Sequence, residues 1–321
     1  MAKQRGLRGF TRVDALVAGA ACLVLALFVS ALHAMTREHY FRTVCAAHLG
    51  DIGKTMFVYA ADNETVLPRA GGPLMMWGRT ADWAASDRRT AYGIASDVSL
   101  GRATISSCFY LLVKYYQAQP GLFVCPGDEG TTAFSLADVA NLAGISAGFD
   151  LADAWDFGPS TTSYKSCSFA YHFPFAAHNL TTSRDANLAV AADRNPWLTS
   201  PAGAASTFAE FLPDISPYAG DADTARVGNS ASHLREGQNV LFLDGRVTFE
   251  TRAYCGLDQD NVYTVTNSFL KGSPRGVTLA IANAMPFHER DSVLVHDPNF
   301  FPDTAYPARR VGGLLREGVC E

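Results

Sequence analysis

The stretch MAKQRGLRGFTRVDALVAGAACLVLALFVSAL, residues 1–32, decides the architecture. Residues 1–9 form a basic leader with Lys3, Arg5 and Arg8, and Arg12 follows it. An uninterrupted apolar run then extends from Ala15 to about Leu32. At about 18 residues, such a run is near the lower limit for crossing a bilayer as a helix. The cations ahead of it keep the N-terminus in the cytoplasm and send the rest of the chain outward. Asp14 stands at the very start of the run. An ionisable group at a membrane boundary is costly, so it usually has a task.

Two plainer uses of the same segment compete with a specialised one. A secretory signal would be cut near Ala34, but Leu32-His33-Ala34 lacks the small residues that such a cut needs. An uncleaved single-pass anchor needs nothing beyond the apolar run.

Beyond the run, residues 36–61 continue the helix. Val44, Leu49, Ile52, Met56, Phe57 and Tyr59 recur mostly at three- and four-residue steps, the stripe of a helix that lays one face on a domain. Gly50 and Gly53 weaken the helix slightly, and Asn63 with Pro68 predicts its end. The remainder, 62–321, is long enough for one exported head, and a 48% hydrophobic chain has ample material for a core.

Within the head, residues 62–106 read as irregular, with a turn at Gly71-Gly72-Pro73 and a solvated patch at Asp87-Arg88-Arg89. Ile105–Gln117 reads as a short buried helix, and Phe123–Pro126 as a strand end. The Gly/Ala/Ser/Asp-rich segment 140–162 reads as a surface insertion. Ser163–Pro174 and Leu188–Asp193 read as strands, and 199–229 as loop. The strongest local pattern is Asn239–Leu243 and Arg246–Glu250 around Asp244-Gly245. Asp-Gly between two β-rich runs predicts a two-residue hairpin with φ > 0 at both turn positions. The fold class expected is therefore α+β, a long N-terminal helix packed on an antiparallel sheet with long loop insertions.

Composition narrows the partners. Net charge is −5 and the isoelectric point about 5.9. There is no Lys/Arg-rich run after the leader, so no nucleic acid is expected as a partner. Of seven cysteines, Cys22 lies in the apolar run and reads as a small filler. Cys45, Cys108, Cys125, Cys167, Cys255 and Cys320 fall on the exported side. There an even count in an oxidising compartment suggests up to three disulfides. Connectivity stays open, with Cys45–Cys125 preferred because that pair would tie the helix to the head.

The leader, Gly9, Phe10 and Asp14 together resemble the type IV prepilin signature. In that family a peptidase cuts after a glycine and methylates the new N-terminal phenylalanine, here Phe10 after Gly9. Asp14 then takes the fifth mature position, where the family has glutamate, and Arg12 stands where leucine is usual. The resemblance implies that the Asp14 carboxylate pairs with a neighbouring subunit's free N-terminus, a strong attraction in low dielectric.

The head resembles a family of exported pilin-like proteins common in planctomycete-type bacteria. The resemblance rests on several blocks. They are Cys45–Gly53 (CAAHLGDIG), Tyr59–Asn63 (YAADN), Phe123–Asp128 (FVCPGD) and Ala192–Pro196 (ADRNP), then His233 with Gly237–Gly245 (GQNVLFLDG). It implies a pseudopilin or minor pilin of a type II secretion or type IV pilus-like assembly. Its partners would be a prepilin peptidase, other pilin-like subunits and inner-membrane lipid, with the head in the periplasm or on an extracytoplasmic filament. A membrane-tethered solute- or glycan-binding protein that does not polymerise is the alternative, with loops 140–162 and 199–229 as its binding face.

Chemistry is sparse. His233, Asp244 and Gly245 invite an acid–base or metal reading, but Asp-Gly at a hairpin serves the turn, so a structural role is expected. Asp258, Asp260 and Asn261 offer calcium-type oxygens and Asp221 with Asp223 fewer still. The central Gly and closing Glu of a calcium loop are missing. Cys45 and His48 have metal-ligand spacing without a second pair. G-x-S-x-G, H-E-x-x-H and phosphate-binding glycine loops are absent from the sequence. The four tryptophans read as satellites of the core. The expectation is thus a non-enzyme without cofactor or resident metal, acting mechanically.

Overall fold

The computed structural model describes residues 11–72, 75–95, 100–139, 145–146, 148–176, 180–206, 222–266, 276–277 and 285–299. Gly9, Phe10 and Cys320, together with Asp221, lie outside these residues.

The N-terminal segment is one continuous helix, α1, Arg12–Asp62, of 51 residues. At 1.5 Å per residue it is about 75 Å long. It opens with a capping box: Asp14 N donates to Thr11 Oγ1 (3.2 Å), while Thr11 N and Oγ1 donate to Asp14 Oδ2 (2.8 and 2.7 Å). The Asp14 carboxylate thus satisfies the Thr11 N–H while the Thr11 hydroxyl satisfies the Asp14 N–H, a capping role that the sequence position of Asp14 alone did not reveal. The front of α1 is apolar and exposed: Leu16, Leu23, Leu27, Phe28 and Met35 are between 66% and 74% accessible. It is long and apolar enough to cross a membrane.

The rear of α1 buries one face. Cys45, Leu49, Ile52, Gly53, Met56 and Ala60 line it at three- and four-residue steps, while Val44, Phe57 and Tyr59 flank it half-buried. The helix stops at Asp62, where Asn63 N and Nδ2 return to the Ala60 and Tyr59 carbonyls. Gly53 sits on the buried face of α1, against Leu241 of the head. A Cβ there would lie 2.9 Å from a Leu241 methyl carbon, so the glycine makes room for that side chain.

The remaining elements, in chain order, begin with β1 Met75–Trp77, α2 Arg88–Tyr92, β2 Gly101–Ala103, α3 Ile105–Tyr116, α4 Leu136–Val139, β3 Phe169–His172 and β4 Ala189–Asp193. They continue with α5 Ala222–Val227, β5 Gln238–Phe242, β6 Val247–Glu250, β7 Val265–Thr266, β8 Gly276–Val277 and β9 Leu294–Val295. Five strands form an antiparallel sheet in the order β6-β5-β4-β3-β9, so the architecture is α+β. α1 packs against β5, β6 and α3. Core side chains between them include Leu49, Met56, Phe109, Phe123, Tyr171 and Leu241.

Several local expectations are corrected. Residues 62–106 hold β1, α2 and β2, with β1 and β2 paired in parallel, and Asp87 is not merely solvated but caps α2. Phe123 closes a 3-10 turn, Pro120–Phe123, and Val124–Pro126 follow it outside any strand, so the expected strand end is absent there. The segment 140–162 is not all surface, because Ala154, Trp155, Asp156 and Phe157 are buried beneath α3. Apolar side chains within a polar-looking stretch outweighed its composition. The Ser163–Pro174 strand shortens to β3, preceded by a 3-10 turn. Of the expected loop 199–229, residues 207–221 lie outside the described residues, and α5 occupies Ala222–Val227.

The hairpin forms as expected, but with a three-residue loop, Leu243-Asp244-Gly245. Gly245 N donates to Phe242 O (2.9 Å) and Phe242 N to Arg246 O (3.0 Å). Only Gly245 takes positive φ (86°), while Asp244 stays in the ordinary region and its Oδ1 accepts from Arg246 N. This is a type I turn closed by a glycine bulge, not the mirror-image turn that the dipeptide suggested.

Candidate functional site

Blocks far apart in the sequence converge where the rear of α1 meets the sheet. Cys45 on α1 and Cys125, just beyond the 3-10 turn, form a disulfide across 80 positions. One helical turn along, His48 Nδ1 lies 3.0 Å from Val124 O, so helix and loop are stitched twice. His48 therefore turns to the Val124 carbonyl and does not join Cys45 in a ligand pair.

Against the sulfurs lies His233, the last residue of a 3-10 turn, Ala231–His233, and fully buried. Its Nε2 is 3.7 Å from Cys125 Sγ and 3.2 Å from Oδ2 of Asp193, the last residue of β4. Asn239 on β5 orients that carboxylate: its backbone N (2.6 Å) and side-chain amide (3.3 Å) both donate to Asp193 Oδ2. The same amide reaches the carbonyl of Arg42 on α1 (3.3 Å). Arg42 also stacks over Phe249 of β6 and pairs with Glu236. A polar thread thus runs from α1 through Asn239 and Asp193 to His233.

A second buried pair lies beside it. Arg194 Nε donates to Asp128 Oδ2 (2.6 Å), and Nη2 donates to Tyr164 O (2.6 Å). Both partners are almost wholly enclosed, so removing either would strand a charge. Asn195 then ties the end of β4 to the carbonyls of Tyr263 and Leu294. The FVCPGD and ADRNP blocks are therefore joined by Asp128–Arg194.

A third cluster caps α3. Asp297 accepts from Ile105 N, Ser106 N and Trp77 Nε1 at 2.7–2.9 Å, and Asp156 accepts from Thr104 Oγ1 (2.6 Å) and Phe157 N (2.8 Å). Burial, then the Asp297 charge, pushes the Asp156 carboxyl up to about 7, and burial also raises Asp297. Burial holds the His172 imidazole down to about 4 and His296 well below its ordinary range.

The other sequence candidates disperse. Asp244 is an exposed turn residue paired with Arg246, and the acid beside His233 is Asp193 instead. Asp193 was visible only as a carboxylate ending the apolar run LAVAA, a charge positioned for burial. Asp258 faces Arg290 (3.0 Å), Asp260 accepts from Ser292 N and Asn261 from Tyr263 N, so these oxygens serve internal donors rather than a calcium loop. Cys108, Cys167 and Cys255 are free thiols rather than disulfide partners. Cys108 and Cys167 sit in the core, where burial raises both thiols, Cys167 to about 12, and keeps them inert. All four tryptophans are buried, at 7–9% accessibility.

Around the end of α1 runs a groove of 510 Å³ lined by Tyr59, Arg69, Arg88, Tyr115, Tyr116 and Trp155, among others. Of the loops expected to form a binding face, it draws only on Trp155. No family model, curated protein or solved structure matches the chain.

Proposed function

We propose that the chain is a pilin-like structural subunit, a pseudopilin or minor pilin, anchored in a bacterial inner membrane and trimmed by a prepilin peptidase between Gly9 and Phe10. The observation that carries this reading is the asymmetry of α1. Its front half is apolar and exposed, and its rear half is held to the head by a disulfide, a buried stripe and the Asn239–Asp193 thread. A rod built this way transmits force from a membrane to a head without a catalytic group.

In lipid, helices associate through close packing and polar contacts rather than water exclusion, so the front half would pack on sister helices. Asp14 sets their register by pairing with a neighbour's freed N-terminus. Replacing Gly9 with Val leaves the precursor nine residues longer, an unshifted band on a gel. A variant that matures normally removes the prepilin reading.

The groove beside α1 favours a second reading, a tethered receptor for a solute or glycan. Aromatic faces and guanidinium groups suit sugar rings. Cysteine pairs placed on the exposed front of α1, with Cys22 replaced by Ser, separate the two. A filament subunit yields crosslinked ladders, and a tethered receptor yields monomer.

A further inference from the structure

Cys45, Cys125, Asp193 and His233 come from four separate segments, yet their ligand atoms all lie within 4.8 Å of one another. All four are at most 1% accessible or fully enclosed. Among the described residues they form the one convergent group of three or more metal-type side chains. Of their polar atoms, Asp193 Oδ1 is buried without a hydrogen-bond partner, and His233 Nε2 lies 3.3 Å from Asn239 Nδ2 as well as against Asp193 and Cys125.

The spacing is that of a closed tetrahedral site. With metal–sulfur bonds of about 2.3 Å and metal–nitrogen or –oxygen bonds of about 2.0 Å, the edges of such a tetrahedron measure roughly 3.3 Å between nitrogen and oxygen and 3.5 Å between nitrogen and sulfur. The observed separations are 3.2 Å for His233–Asp193 and 3.7 Å for His233–Cys125. The edge between the sulfurs, bonded in the disulfide, must open, and it does so once they are thiols; the remaining edges are all within 4.8 Å. Two soft sulfurs, an imidazole and a carboxylate select zinc over calcium or magnesium. Asn239 already supplies the outer hydrogen bonds that orient the carboxylate.

We propose that the reduced chain binds one zinc-class divalent cation through Cys45 Sγ, Cys125 Sγ, His233 Nε2 and an oxygen of Asp193. The helix is then pinned to the head by metal before it is pinned by the disulfide. A newly made chain carries both cysteines as thiols, so no reductant is needed. Binding releases the two thiol protons as two sulfur–metal bonds form. Later oxidation by a disulfide donor takes two electrons from the thiolates, joins the sulfurs and frees the cation, while the donor is reduced and takes two protons from water to become a dithiol.

The test uses the full chain in detergent, reduced with a water-soluble phosphine that is then removed under argon, and titrated with cobalt(II). The expected result is one equivalent bound, with the intense visible bands of tetrahedral cobalt and a near-ultraviolet thiolate charge-transfer band, both erased by zinc. The oxidised chain and a Cys45→Ser, Cys125→Ser chain show neither band. Asn239→Ala weakens binding roughly 10–100-fold, and His233→Gln at least as much. If these buried variants fail to fold, X-ray absorption on the zinc-loaded wild type decides the ligand set: two sulfurs and two nitrogen or oxygen neighbours support the site. A set of four sulfurs or none overturns it. So does a reduced wild type that gives no thiolate bands or stays unfolded with metal present.

Discussion

Replacing Cys45 and Cys125 together by Ala tests the joint on which the rod-and-head reading depends. The bond closes a loop across 80 positions and ties α1 to the segment after α3. The entropy that such a crosslink removes from the unfolded chain corresponds to about 4.5 kcal/mol at 25 °C. Loss of the sulfur packing against His233 adds to this in the same direction. Urea unfolding of the detergent-solubilised chain measures the loss through tryptophan fluorescence. Trp77, Trp83, Trp155 and Trp197 all lie buried in the head, so the signal reports the head and not the exposed front of α1. With a slope of about 3 kcal/mol per molar urea, the midpoint falls by ~1.5 M. A shift below ~0.5 M at unchanged slope would mean that the helix docks on the sheet without help from the crosslink, and the reasoning fails.

Two glycines one turn apart respond oppositely. A Cβ at Gly50 meets nothing within 4 Å, so Gly50→Ala raises stability by about 0.5–1 kcal/mol through helix propensity. Gly53→Ala collides with the enclosed Leu241 side chain and lowers stability by about 1 kcal/mol or more. Paired thermal melts read both, and equal shifts would refute the close-approach account. Asp156 makes stability fall with rising pH. Its carboxyl is raised from 3.8 to about 7 in the folded chain, so its contribution is full below pH 3.8 and is lost as pH climbs through 7. At 1.36 kcal/mol per pH unit this amounts to ~4 kcal/mol. Asp156→Asn, compared with wild type by urea midpoints at pH 4 and pH 8, gains by up to that amount at the higher pH. A difference independent of pH sinks the assignment.

Convergence of the sequence blocks was the part least legible from the chain. CAAHLGDIG, FVCPGD, ADRNP and the His233 segment were each recognisable as pieces, and the preferred Cys45–Cys125 pair is present. That they meet at one seam was not. His233 stood out because Asp244-Gly245 follows it, yet its acid partner is Asp193, 40 positions upstream on a neighbouring strand. The burial of Trp155, Asp156 and Phe157 was hidden by the Gly- and Ala-rich residues around them.

The sequence by itself determined the long helix and its apolar front, the helix at 105–116, the strand at 189–193, and the β5–β6 hairpin. Each depends on periodicity, capping or turn chemistry expressed within a few residues. Only the tertiary structure decided which cysteines bond, which acid faces His233, where Arg194 finds its counter-charge, and why Gly53 must lack a side chain. Those pairings join residues from 40 to 188 positions apart. They are set by how the antiparallel sheet orders its strands beneath α1, which no local pattern encodes.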